Sequence, residues 1–124
     1  MASYPRITIE GASKMSEGEF VRKLLKELNS RENTKAVKIN TGSYGRSGEP
    51  DIMGSHCGLF FAIEVKLGYN MPTALQRKRL AEWADAGATT GVITHYEGID
   101  IAATITELIR AALAGKNYEQ KREG

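Results

Sequence analysis

A mixed α/β fold, with a central sheet flanked by helices, is predicted by three observations. Apolar residues recur at helical spacing in three stretches. Four short runs between them alternate or are rich in β-branched residues, as strands are. The stretches interleave as helix, three strands, helix, strand, helix, the order of a mixed α/β domain.

Residues 1–15 are expected to form an arm or a strand, on the β-branched content of Arg6-Ile7-Thr8-Ile9. Ser16-Glu17-Gly18-Glu19 is a capping box, with Ser16 as N-cap and Glu19 reaching back. Phe20, Val21, Leu24, Leu25 and Leu28 follow at helical spacing, so the first helix runs to about Ser30. The run 36–40, Ala-Val-Lys-Ile-Asn, alternates like a strand. Thr41 to Gly48 holds three glycines and two serines and reads as a mobile loop. Strands near 51–54 and 59–66 are joined through Ser55-His56-Cys57-Gly58, a hairpin length. Pro72-Thr73 opens a second helix carrying Leu75, Leu80, Ala81, Trp83 and Ala84, and Gly87 ends it. Thr90 to Thr94 is a strand. Ile101, Ile105, Leu108, Ile109, Ala112 and Leu113 form the apolar stripe of a last helix. The polar tail from Lys116 to Gly124 is expected to fray.

One domain over 1–124 is the natural reading of this length, and it is long enough to bury a core. A content of 41% hydrophobic and 26% charged residues is that of a soluble globular protein. With no membrane-length apolar run and no signal pattern, a cytoplasmic setting is the default expectation. One cysteine, Cys57, excludes an internal disulfide and cysteine-rich zinc sites. The net charge of +2 is compatible with nucleic acid but points to it only weakly. Arg77-Lys78-Arg79 and Arg22-Lys23 with Lys26 each read, taken singly, as a solvated helix face.

Strand period then sorts the charges. In the run 59–66, Phe61, Ile63 and Val65 share one face, while Phe60, Ala62, Glu64 and Lys66 share the other. If residue 55 pairs with 60, Asp51 lies across from Glu64, with Cβ atoms roughly 5 Å apart. Two facing carboxylates repel unless a positive charge sits between them. A divalent cation with oxygen ligands is the natural candidate, since Lys66 offsets only part of that charge.

Pro50-Asp51, followed by Glu64-Val65-Lys66, resembles the PD-(D/E)XK nuclease signature. The wider pattern resembles the VRR-NUC (virus-type replication-repair nuclease) domain in its stand-alone phage and bacterial form. It comprises Gly48-x-Pro50-Asp51-Ile52, Phe61-x-Ile63-Glu64-Val65-Lys66, Gln76 and Gly87, and the match runs from about Glu17 to Ile93. The resemblance implies a restriction-endonuclease-like core with Mg²⁺ or Mn²⁺ on Asp51, Glu64 and the Val65 carbonyl. Lys66 would orient or activate the attacking water and stabilise charge on the phosphate. It also implies a glutamate on the first helix. The capping box already explains Glu19, so Glu17 is the expected acid, acting directly or through water. Gln76 has two readings of equal weight: site support, or the second residue of a Thr73-x-x-Gln76 capping box.

Arg46 and Ser47, close before Gly48, are candidates to hold a DNA phosphate, and Arg77 and Lys78 are further candidates for DNA contact. His56 and Cys57 read as turn residues, His95 and Tyr96 as exposed loop residues, and Glu49 as solvated. The expected activity is metal-dependent hydrolysis of branched DNA by a homodimer resembling Holliday-junction resolvases, with no organic cofactor. Flap or duplex nicking, and a DNA-binding module without catalysis, are the alternatives. A solvated sheet edge in an unrelated domain ranks last.

Overall fold

The computed structural model describes residues 15–39 and 45–120. The expected N-terminal arm or strand at 1–15, except Met15, lies outside the described residues, as do Asn40 of the expected strand, 41–44 of the expected loop and the last four residues of the tail. Along the chain come α1 (Glu17–Asn29), β1 (Thr34–Lys38), β2 (Ile52–His56), β3 (Leu59–Leu67), α2 (Ala74–Asp85), β4 (Thr89–His95), α3 (Ile101–Leu113) and β5 (Tyr118–Glu119). They form one five-stranded sheet in the order β1-β2-β3-β4-β5, antiparallel through β3 and parallel from β3 to β5.

The capping box of α1 is present in both directions: Glu19 N donates to Ser16 Oγ at 3.1 Å and Ser16 N to Glu19 Oε1 at 3.0 Å. Phe20, Val21, Leu24 and Leu28 of α1 join Ile105 and Leu108 of α3 over one face of the sheet, against Ile52, Phe61, Ile63, Val65 and Ile93. Because strand side chains alternate, Phe60, Ala62, Glu64 and Lys66 turn to the other face, where Trp83 of α2 stacks on Phe60 at a centroid distance of 5.4 Å. The crossover from β3 through α2 to β4 makes the parallel pairing possible.

The β2–β3 register is the expected one, with Ser55 paired to Phe60 and Ile52 to Ile63. Its turn is tighter than four residues. Cys57 and Gly58 alone connect the strands, at φ +50° and +83°, the left-handed pair that matches strand twist. β1 begins two residues earlier than its alternation indicates, because pairing starts at Thr34 opposite His56, whose Nδ1 lies 2.6 Å from Thr34 Oγ1.

The described part of the tail is not frayed. Tyr118–Glu119 pairs with β4. Asn117 Oδ1 accepts from Thr90 N at 3.0 Å, and Gln120 Oε1 from Thr94 N at 2.8 Å. Gln120 N donates to Val92 O at 3.0 Å. These bonds satisfy the outer edge of β4, an outcome decided by backbone groups and invisible in hydropathy.

Candidate active site

The segment leading into β2 is held from two sides before it delivers Asp51. Trp83 Nε1 donates to Glu49 Oε1 at 2.9 Å, and Arg79 Nε to Ser47 O at 3.1 Å. Glu49 is therefore half-buried rather than solvated, because an indole N–H on α2 needs the acceptor. Gly48 has φ +82°, and a Cβ there would sit 2.7 Å from Leu75 Cγ, so the loop approaches α2 as only glycine allows. Pro50 follows, fully buried. Asp51 N donates to Ile63 O at 2.9 Å and Asp51 O accepts from Ile39 N at 2.8 Å, fixing the residue between β1 and β3.

Asp51 Oδ2 accepts from Val65 N at 2.8 Å, which holds the carboxyl group across β3. Glu64 is only 2% exposed. Its Oε2 lies 3.6 Å from Lys66 Nζ, while its Oε1 is buried with no hydrogen-bond partner among the described residues. Burial, reinforced by the charge on Asp51, pushes the Glu64 pKa up to about 8 against the pull of Lys66. Burial likewise raises Asp51, opposed by the Val65 N–H and by Lys66. A carboxylate pair arranged this way is under-compensated by Lys66, which lies within ion-pair distance of Glu64.

Glu17 opens α1 near this pair. Partial burial raises its pKa, then Asp51 raises it further, while Lys66 and Lys38 lower it. It does not close a cage: among the described residues, no three His, Cys, Asp or Glu side chains converge as metal ligands. The two facing carboxylates still suit a hard divalent cation, because they offer oxygen donors and Glu64 Oε1 lacks a partner.

Other expected site residues are engaged elsewhere. Gln76 completes the α2 capping box, its Oε1 accepting from Thr73 N at 2.9 Å. Arg77 faces Glu119 at 3.5 Å, Lys78 is exposed on α2, and Arg46 lies within 4 Å of both Glu49 and Glu82. His95 is not an exposed loop residue: it ends β4, half-buried, with its ring edge-on to Phe20 at 5.0 Å. Lys38 had no distinguishing signal in the sequence. Its charge nevertheless acts on both Glu17 and Asp51, because β1 ends beside them.

The sheet order and the flanking helices have a solved counterpart. The structure of Hjc, a Holliday junction resolvase from the archaeal hyperthermophile Archaeoglobus fulgidus, matches with a TM-score of 0.54 and 25% identity, over 65% of this chain and 68% of that one. The fold is that of a resolvase-like restriction endonuclease. This likeness supports the PD-(D/E)XK superfamily, not the VRR-NUC subtype. No protein-family model matches the chain, and no curated protein does.

Proposed function

We propose that this protein is a divalent-metal-dependent, structure-specific DNA endonuclease of the Holliday-junction-resolvase kind, working as a homodimer with Mg²⁺ or Mn²⁺. The observation that carries the reading is the pair of half-buried Asp51 and buried Glu64, with Glu64 Oε1 unpartnered among the described residues and Lys66 Nζ 3.6 Å from the other oxygen. It occurs in a fold shared with a junction resolvase.

Asp51 and Glu64 would hold the cation, with the Val65 carbonyl beside them and Glu17 reaching it through water. When bound, the cation supplies a polarised phosphoryl oxygen and a water of lowered pKa. Lys66, 13% exposed and steered by Glu64, stabilises charge developing on the phosphate. The Val65 N–H keeps Asp51 in one orientation. Gln76 retains its amide nitrogen for substrate, its oxygen being engaged in the cap. Arg46, Ser47, Arg77 and Lys78 are the proposed backbone contacts. The pattern of Gly48, Pro50, Asp51, Glu64, Lys66, Gln76 and Gly87 favours a VRR-NUC type of nuclease. A two-fold dimer would present two sites to matched strands, as junction cleavage requires.

The test is incubation of purified protein with four-way junction, flap and linear duplex DNA, in Mg²⁺, Mn²⁺ or EDTA. Metal-dependent cleavage of the junction is expected, lost in Asp51→Ala and Lys66→Ala. Cleavage of flap or duplex in preference to the junction would revise the substrate. Cleavage of no DNA with either metal would remove the enzyme reading.

A further inference from the structure

We infer that Lys38 is a DNA-phosphate-binding residue that grips the strand from the α1 side of the site, on the flank opposite Lys66. The inference rests on the nuclease reading and extends it to a residue outside the sequence pattern.

Lys38 is the last residue of β1 and pairs with Ile52, next to Asp51. The bond from Ile39 N to Asp51 O, 2.8 Å, pins that strand end beside the carboxylate. Alternation sets its direction: Ala36, two residues earlier, is buried in the core under α1, so Lys38 emerges on the α1 face and Lys66 on the α2 face. β1 and β3 lie on either side of β2, so the two lysines arise from strands about 10 Å apart with Asp51 between them.

The charge on Lys38 is felt at Glu17 and at Asp51. Yet Lys38 is exposed and forms no ion pair with the described residues, whereas Lys66, Arg46, Arg77 and Arg79 all have carboxylate partners. An exposed ammonium tethered at the mouth of an acidic site and left in water suits a mobile anion that arrives with the substrate. A backbone phosphate is that anion, and the contact would carry no sequence information.

The experiment measures affinity for a fluorescent four-way junction and a duplex of unrelated sequence, in EDTA, across a fourfold rise in salt. One phosphate contact contributes about 0.9 to the salt slope, so over that range wild type should lose about 3.5-fold more affinity than Lys38→Ala for each protomer on the DNA, and about 12-fold more where both protomers of the dimer engage it. Lys38→Arg should keep the wild-type slope and Lys38→Gln should match Lys38→Ala, with all three melting near wild type. In cleavage assays Lys38→Ala should raise KM with kcat within about twofold. An unchanged slope in Lys38→Ala, or a fall in kcat at constant KM, would overturn the inference while leaving the nuclease reading intact. A wild-type protein that neither binds nor cleaves these DNAs would overturn both.

Discussion

At Glu64 a carboxyl group is buried beside a second one, and the consequences reach both stability and chemistry. Its folded pKa, about 8, lies above its ordinary 4.5, so between these values the folded state holds a proton that the unfolded state has lost. Stability of the metal-free protein should therefore fall as pH rises from 4.5 through 8, and Asp51, also raised, adds in the same direction. Melting in EDTA between pH 5 and pH 8.5 should show a decline of about 5 °C or more that Glu64→Gln largely removes. A pH-independent wild type would mean that the pair is better compensated than its partners indicate. The same residues predict a metal response. At pH 8, Mg²⁺ or Mn²⁺ at a hundred times its dissociation constant should stabilise wild type by about 2.7 kcal/mol, and Asp51→Asn or Glu64→Gln by almost nothing.

Among the elements, β1 and β5 carry the least obvious dependencies. Gly54 lets β1 lie close on β2: a Cβ there would meet Lys35 O at 2.3 Å, Phe61 Cζ at 2.7 Å and Ala36 Cα at 2.8 Å. Two of those atoms are backbone and cannot swing aside, so Gly54→Ala should cost about 3 kcal/mol, read from urea unfolding. β5 is short, yet it pairs with the outer edge of β4, where its flanking residues Asn117 and Gln120 add three hydrogen bonds, and it packs Tyr118 against the core. Ending the chain at Gly115 should lower stability by about 2–4 kcal/mol and leave β4 open to association with other chains. A truncated chain that unfolds at the same urea concentration as wild type would show that β5 contributes nothing.

On the scale of the whole molecule, the elements that carry the proposed site gather at one end of the sheet. β1 ends there, β2 begins there, and the C-terminal part of β3 and the start of α1 meet them. DNA approaching that end would meet Lys38, Lys66 and the segment bearing Arg46. Arg46 stands between Glu49 and Glu82, so it must leave two carboxylates to hold a phosphate. Arg46→Ala should accordingly reduce the salt slope by about 0.9 or less for each protomer on the DNA, and an unchanged slope would assign it to loop anchoring instead. Sedimentation of the protein with and without junction DNA tests the proposed dimer, for which two copies of the chain per junction are expected.

The paired charges at Asp51 and Glu64, the helix caps at Ser16 and Thr73, and the β2–β3 register were all legible in the amino-acid order. Each depends on neighbours a few residues apart or on strand alternation, and the signature around Pro50-Asp51 and Glu64-Val65-Lys66 lies within one hairpin. Three things were decided only by the tertiary structure. Glu49 is tied to Trp83, 34 positions away; the tail becomes a strand because β4 has free backbone groups along its edge; and the Lys38 charge acts on Asp51 because β1 pairs with β2 across a long loop. Hydropathy and spacing record what a residue avoids or repeats. They do not record which distant donor or carboxylate will stand beside it once the chain has closed.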